Sequence, residues 1–155
     1  MSNTEYLDVW TDASCMEQGQ KSNTAGRGVY FGKDHPWNVS ERGSLSAGPP
    51  DINGVEIQAA KRAIQIAKKN GVKKLRINTD SSYLITGITE NLPKWLKNGW
   101  VADNGEDVKN KAEFLQLSAE LDGTIHVIWR HVSSHSGHFD NNQADRLARA
   151  GAAIK

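Results

Sequence analysis

Residues Val55 to Asp80 read VEIQAAKRAIQIAKKNGVKKLRINTD, and this stretch decides the fold. Its apolar and small residues first recur at helical spacing and then alternate along a shorter run. Asn70-Gly71 stands between the two patterns and is typical of a helix C-terminus. We therefore predict a helix of about four turns over residues 55–70, followed by a strand over residues 74–79.

The segments on either side of this stretch predict further strands and helices. Alternating runs before the helix predict a meander of three strands, over residues 6–11, 25–32 and 37–43. The pattern after residue 80 predicts, in order, short helices at 81–87 and 92–98, a helix at 105–121, a strand at 124–132 and a helix at 141–154. Because a helical crossover joins parallel neighbours, the first and fourth strands should lie side by side. The prediction is an α/β fold in which helices flank a five-stranded mixed sheet.

Length and composition are those of one globular domain. The chain has 155 residues, of which 37% are hydrophobic and 24% charged, which excludes a disordered, collagen-like or coiled-coil protein. A formal net charge of +1 excludes the strong positive field of a histone-like protein. The sequence shows no leader peptide pattern and no long apolar run, so we expect an intracellular protein, cytoplasmic or nuclear, without a membrane partner.

Positive charge is concentrated in one part of the chain, which we call the basic stripe. No acidic residue occurs between Ile57 and Asn78, whereas seven basic residues do: Lys61, Arg62, Lys68, Lys69, Lys73, Lys74 and Arg76. A solvated helix face is the commoner meaning of such a run. A nucleic-acid contact is the other interpretation, because clustered lysine and arginine side chains form an electrostatic footprint for phosphates.

Four acidic residues are expected at one edge of the sheet. Asp12 and Asp80 each follow a threonine at the predicted end of a strand, and ligands of α/β sheets bind at such ends. Glu56 lies early in the long helix beside small residues, and Asp145 lies near the buried border of the last helix. A turn or cap explains one aspartate alone. Four carboxylates with no predicted cation beside them instead favour Mg²⁺ or Mn²⁺.

Six blocks of sequence together resemble type 1 ribonuclease H, and they occur in the family's order. The blocks are Thr11–Cys15, Glu56–Ala60, Thr79–Ser81, Trp95–Trp100, His131–Gly137 and Asn142–Arg149. The likeness is greatest to the catalytic domain of the eukaryotic enzymes. It implies a ribonuclease H-like fold and a single ribonuclease H catalytic domain over residues 1–155.

The resemblance implies an endonuclease that hydrolyses the RNA strand of RNA–DNA hybrids and leaves 5′-phosphate and 3′-hydroxyl ends. Asp12, Glu56, Asp80 and Asp145 would hold two Mg²⁺ ions, for which Mn²⁺ can substitute, and such a pair needs no protein nucleophile. His135 matches the family's histidine for proton transfer or product release. A zinc site drawn from His131, His135 and His138 is the disfavoured alternative, since no cysteine stands nearby to complete it.

The resemblance also implies residues that bind each strand of the hybrid. Lysine and tryptophan side chains suit phosphate and sugar, and short polar groups suit 2′-hydroxyls. The expected contacts to DNA are Tyr83, Lys94, Trp95, Lys97 and Asn110, and the expected contacts to RNA are Ser14 and Cys15, in a turn, and Asn53.

Two departures from the family lie just before Glu56. Asp51 stands in place of a threonine, and Pro49 stands where the eukaryotic enzymes often have an arginine. We therefore expect weaker hybrid binding, tightened by Asp51→Thr, with a salt dependence carried by the basic stripe, Lys94 and Lys97.

We expect the enzyme to be a monomer. Two other classes of function remain open beside it. One is a retroelement-type or resolvase-like nuclease of the same fold, which would share the acids but cut another substrate. The other is a non-catalytic nucleic-acid-binding module, which would be expected to lack at least one of the four carboxylates.

Overall fold

The computed structural model describes residues 5–18, 22–43, 52–133 and 139–154. Its strands are β1 (Leu7–Gln18), β2 (Ser22–Tyr30), β3 (Val39–Arg42), β4 (Lys74–Thr79) and β5 (His126–His131). Its α-helices are α1 (Ile52–Lys69), α2 (Ser82–Thr86), α3 (Leu92–Asn98), α4 (Lys111–Glu120) and α5 (Phe139–Ala152), and a π-helical turn, Gly87–Asn91, joins α2 to α3. No helix in these ranges is long and apolar enough to cross a membrane.

The five strands form one mixed sheet in the order β3-β2-β1-β4-β5. β1, β2 and β3 pair antiparallel, whereas β4 pairs parallel with both β1 and β5. The predicted meander and the parallel pairing of the first and fourth strands are confirmed. The α/β fold class is therefore as the sequence predicts.

The first strand is longer than predicted, and the turn expected at Asp12 is wrong. β1 pairs with β4 only as far as Trp10, but it pairs with β2 as far as Gln18. The antiparallel ladder continues to satisfy the backbone of β1 after its parallel neighbour has ended. Asp12 thus lies inside a strand, two residues beyond the last pair with β4.

Two helices begin three or more residues away from their predicted start. The helix expected from residue 105 begins only at Lys111, because Gly105 and Asn110 have φ angles of 85° and 62°, which interrupt helical geometry. Val108, whose apolar side chain suggested the longer helix, is instead buried in the preceding loop. α1 begins at Ile52, three residues earlier than the predicted start.

Helices cover both faces of the sheet. Adjacent strand residues point to opposite faces, so Val29 packs in the main core while Gly28 faces α5. A Cβ atom at Gly28 would lie 2.3 Å from the carbonyl oxygen of Ala144, and one at Gly26 would lie 1.9 Å from that of Ala148. These two glycines are required for the close approach of α5. That approach brings the first half of α5 beside β1 and the acidic edge of the sheet.

Candidate active site

Three carboxylates from three separate elements meet where β1 extends past β4. Asp12 comes from β1, Glu56 from α1, and Asp80 directly follows β4. One carboxylate oxygen of each lies within 4.8 Å of the other two. Asp12 and Glu56 are both 6% exposed, so these are buried acids. The grouping of Asp12 with Asp80 that strand order suggested is present in the structure.

Hydrogen bonds between residues close in sequence hold this edge of the sheet in place. The Ser81 amide donates to Thr79 Oγ1 at 3.1 Å, and the Leu84 amide donates to Ser81 Oγ at 3.1 Å. Ser81 is thereby the predicted N-cap of a short helix. Asp80 is thereby placed between the end of β4 and the start of α2. On β1, the Ala13 amide donates to Asp12 Oδ1 at 2.9 Å.

Burial and mutual repulsion raise the pKa values of two of the carboxylates, Asp12 and Glu56. Burial first, and then the charge of Asp80, raise the pKa of Asp12 to about 7, against a smaller lowering effect of the Ala13 amide. Burial, and then the charges of Asp12 and Asp80, raise the pKa of Glu56 well above its usual value. Glu56 Oε1 is buried with no hydrogen-bond partner among the described residues. Such a cluster fits a divalent cation, which supplies the missing positive charge and uses carboxylate oxygens as ligands.

Asp145 joins the same pocket from the opposite side. It lines an open cavity of about 440 Å³ together with Asp12, Glu56 and Asp80, and its nearness contributes to the raised pKa of Asp12. We call these four residues, Asp12, Glu56, Asp80 and Asp145, the carboxylate pocket. Asp145 Oδ2 lies 3.0 Å from Arg149 Nε, so the expectation that no cation stands beside the acids is wrong for this member.

The RNase H family model matches residues 4–153. The chain belongs to the RNase H family. Ribonuclease H1 of Mus musculus is 43% identical over 148 residues, which cover 96% of this chain and 50% of the mouse protein. The chain therefore spans about half the length of this curated relative.

Solved structures of RNase H proteins have the same fold. LC9-RNase H1, a type 1 RNase H with the type 2 active-site motif, superposes with a TM-score of 0.70 at 25% identity, covering 97% of this chain and 74% of its own. The foamy viral protease-reverse transcriptase in complex with RNA/DNA hybrid superposes with a TM-score of 0.72 at 25% identity, covering 96% of this chain and 20% of its own. The ribonuclease H-like fold predicted for this chain is thus confirmed.

In this RNase H chain, two of the predicted DNA contacts touch each other. Asn110 Nδ2 donates to Tyr83 Oη at 3.2 Å, and Tyr83 lines the carboxylate pocket together with Asn53. Asn110 caps the start of α4 in a left-handed conformation. Gly54 makes this arrangement fit, because a Cβ atom there would lie 2.8 Å from Asn110 Oδ1. Gly54 is not among the residues predicted from the sequence to form the site.

Three of the predicted DNA contacts, Lys94, Trp95 and Lys97, lie on α3. Lys94 and Lys97 are exposed. Trp95 is half-buried and packs against two core rings, with centroid distances of 5.6 Å to Trp100 and 5.3 Å to Phe114. Trp95 therefore supports the core as well as presenting a partly exposed face.

Ser14 and Cys15 occupy a second depression beside the carboxylate pocket. Both lie in β1 rather than in the predicted turn. They line a cavity of about 640 Å³, which we call the adjoining groove, and Asp145 lines both cavities. Arg149 also lines the groove, and sequence analysis missed it, although Asp145 and Arg149 have the i, i+4 spacing of a helical ion pair. The predicted RNA contacts thus lie next to the acids.

Other predicted residues lie outside the described part of the chain. They are Pro49, Asp51 and His135. Of the histidines considered for zinc, His131 is the last residue of β5, and His138 is outside the described ranges. The proposed role of His135 and the effect of Asp51 stay predictions.

The basic stripe is largely engaged in contacts with other elements of the fold. Four of its seven cations bond to side chains distant in sequence: Lys61 to Gln116, Arg62 to Glu41, Lys68 to Glu120 and Asp122, and Arg76 to Asp8. These partners come from β1, β3, α4 and the turn after α4. The stripe is therefore neither a simple solvated face nor a row of cations reserved for phosphate. The expectation that the stripe, Lys94 and Lys97 carry the salt dependence of hybrid binding stays a prediction.

Proposed function

We propose that this chain is an RNase H catalytic domain, monomeric, which cuts the RNA strand of RNA–DNA hybrids as an endonuclease. The observation that carries the proposal is the buried carboxylate pocket, with three acidic side chains within 4.8 Å of one another. A cluster of like charges of this kind destabilises the fold unless an opposite charge compensates it. Such clusters are concentrated at functional sites. The viral relative described in complex with RNA/DNA hybrid supports the choice of substrate.

The residues fit a pair of divalent cations. Asp12, Glu56, Asp80 and Asp145 would hold two Mg²⁺ ions, with Mn²⁺ as a substitute. When bound, two such ions activate a water on one side of the phosphorus and stabilise the leaving oxygen on the other, which leaves 5′-phosphate and 3′-hydroxyl ends. Asp12 is central in this arrangement. The charges of Asp80 and Asp145 raise the pKa of Asp12, and the charge of Asp12 in turn raises the pKa of Glu56.

The surrounding residues have separate proposed roles. His135 assists proton transfer or product release. On one side of the carboxylate pocket, Ser14, Cys15 and Asn53 face the RNA strand. On the other side, phosphate and sugar of the DNA strand meet the residues Tyr83, Lys94, Trp95, Lys97 and Asn110. The hydrogen bond between Asn110 and Tyr83 keeps the DNA-side phosphate contact close to the acids.

A cleavage assay with labelled hybrid, duplex RNA, duplex DNA and a four-way junction, with and without Mg²⁺, tests the proposal. We expect Mg²⁺-dependent cutting of the RNA strand in the hybrid alone. Asp12→Asn should abolish it, while the control Asp34→Asn, an exposed aspartate in the loop after β2, should not. Cutting of the junction would favour the resolvase-like alternative, and hybrid binding without cutting would favour a non-catalytic module.

A further inference from the structure

A third cavity, of about 430 Å³, lies between α5 and the loop that follows β2. We call it the α5 cavity. None of the described residues that line it also lines the carboxylate pocket or the adjoining groove. Its lining includes Tyr30 from β2, Lys33 and Asp34 from the loop, and Phe139, Gln143 and Arg146 from α5. The three helical residues are four and three positions apart, which places them on one face of α5.

A buried hydroxyl lines this cavity. Tyr30 is 5% exposed, and its ring packs on Trp10 with a centroid distance of 6.3 Å. Among the described residues its hydroxyl has no hydrogen-bond partner. Burial, and then the charges of Asp140 and Asp34, raise the pKa of Tyr30, so the hydroxyl keeps its proton and stays a donor. A buried O–H group without an acceptor destabilises the fold, and a ligand oxygen in the cavity would supply the acceptor.

Two cations stand beside this hydroxyl without an acidic partner. Lys33 and Arg146 are both exposed, and neither forms an ion pair within the described ranges, unlike Arg149. Asp34 lines the same cavity but pairs with neither cation. The cavity therefore has a net positive charge. An ammonium, a guanidinium and a phenol together are suitable donors for a phosphate group.

The helical side of the cavity offers groups that suit a nucleobase. Phe139 is 61% exposed, and aromatic rings of this kind stack on bases. Gln143, four residues later on the same face, has no hydrogen-bond partner among the described residues. A glutamine amide pairs with adenine through two hydrogen bonds. A phosphotyrosine would use the ring and the cations but would leave this amide unpaired, so the lining favours a nucleotide.

We propose that the α5 cavity is a binding site for an adenine nucleotide, distinct from the carboxylate pocket. Lys33, Arg146 and the Tyr30 hydroxyl bind the phosphate, and the adenine stacks on Phe139 with its edge at Gln143. The cavity volume lies within the range of small-molecule sites. A free nucleotide and the terminal adenylate of a nucleic-acid strand share this chemistry. The binding does not depend on the reaction at the four acids.

A titration of the whole chain with adenosine 5′-monophosphate (AMP), followed by heteronuclear NMR in EDTA, tests the site. EDTA removes the divalent cations that would bring a phosphate to the carboxylate pocket. We expect saturable chemical-shift changes at the backbone amides of Lys33, Gln143 and Arg146. Changes centred on Asp12 and Asp80 instead, or no saturable change at all, would overturn the proposal.

Substitutions identify the groups that bind the phosphate. Lys33→Gln and Arg146→Gln should each raise the Kd for AMP about tenfold, the usual effect of losing a charged hydrogen bond. Tyr30→Phe removes only the hydroxyl and should raise the Kd about twofold to tenfold. The control Lys109→Gln removes a charge from an exposed residue in the loop before α4 and should leave the Kd unchanged. Thermal unfolding verifies that each variant folds. A Kd that none of the cavity variants changes, or that Lys109→Gln raises equally, contradicts the site.

Other probes, observed at the same amides, identify the base and the source of the ligand. Adenosine, inorganic phosphate and uridine 5′-monophosphate should all bind more weakly than AMP, and Gln143→Leu should abolish the preference for AMP over the uridine nucleotide. Tighter binding of a short DNA strand with a 5′-phosphorylated terminal adenylate would assign the site to strand ends, whereas equal or weaker binding would assign it to the free nucleotide. Binding of O-phospho-L-tyrosine as tight as that of AMP would overturn the nucleotide assignment.

Discussion

The carboxylate pocket and the basic stripe are both clusters of like charge, yet the fold treats them in opposite ways. Three acids of the pocket are gathered within 4.8 Å of one another, and Glu56 keeps a buried oxygen without a hydrogen-bond partner among the described residues. In the stripe, by contrast, Arg62, Lys68 and Arg76 each meet an acid from elsewhere in the chain. Charge left uncompensated at a buried site marks function, whereas charge compensated by distant partners marks architecture.

The largest effect should come from removing one pocket acid. Asp12→Asn or Asp80→Asn should reduce hybrid cleavage to the background seen without Mg²⁺, because neither amide replaces the lost carboxylate charge. Hybrid binding should remain measurable by fluorescence anisotropy. Full cleavage activity in either variant would mean that the carboxylate pocket is not the catalytic site.

A smaller loss is expected at a residue that belongs to neither charged region. His135→Ala should slow turnover by about tens-fold to a thousandfold, the range of a general acid–base contribution, while the Mg²⁺ requirement stays. Steady-state rates across a range of pH measure this. An unchanged rate and pH profile would exclude His135 from the reaction, and complete loss would make it a ligand or a structural residue.

The pocket should also make the metal-free fold sensitive to pH. Asp12 has a pKa of about 7 when folded, against about 3.9 when unfolded. Between these values the folded state binds more protons, so stability falls as pH rises from about 4 to about 7, by on the order of 2–4 kcal/mol. Thermal unfolding in EDTA at several pH values measures it. Asp12→Asn should flatten the curve, and Mg²⁺ should restore stability near neutral pH by binding the native state.

The smallest effect should come from the stripe. Glu41→Gln weakens its ion pairs with Arg27 and Arg62, which lie at 2.9 and 3.0 Å and are partly buried. We expect a loss of about 1 kcal/mol in the free energy of unfolding by urea, with no change in cleavage. The exposed Glu90→Gln is the matched control. A change in cleavage by Glu41→Gln at full stability would mean that the stripe serves the substrate after all.

Local patterns were sufficient for several elements. β4 and α3 have the predicted bounds, residues 74–79 and 92–98, because alternation and a proline near the helix start are properties of a few neighbouring residues. Ser81 caps α2 as its position after Asp80 suggested. Asp12 and Asp80 were grouped because one stands on β1 and the other directly follows β4, and topology makes these strands neighbours.

Local patterns failed where a distant partner decides. The continuation of β1 past Asp12 depends on its antiparallel pairing with β2, whereas the small side chains of Ala13 and Ser14 look like turn residues in isolation. The late start of α4 depends on the left-handed Asn110, which the approach of Gly54 accommodates.

By itself, the sequence determined the α/β order, the sheet edge at which Asp12 and Asp80 meet, and the family to which the motifs belong. Only the tertiary structure decided that four cations of the stripe have distant partners, that Asp12, Glu56 and Asp80 gather within 4.8 Å of one another, and that Asp145 pairs with Arg149 beside a groove. The physical reason is the separation along the chain over which each effect acts. Periodicity and capping act within a few residues. The environment of a charge depends on side chains that packing brings together from distant elements, as in the pairs of Lys68 with Asp122 and Asp8 with Arg76, which are 54 and 68 residues apart.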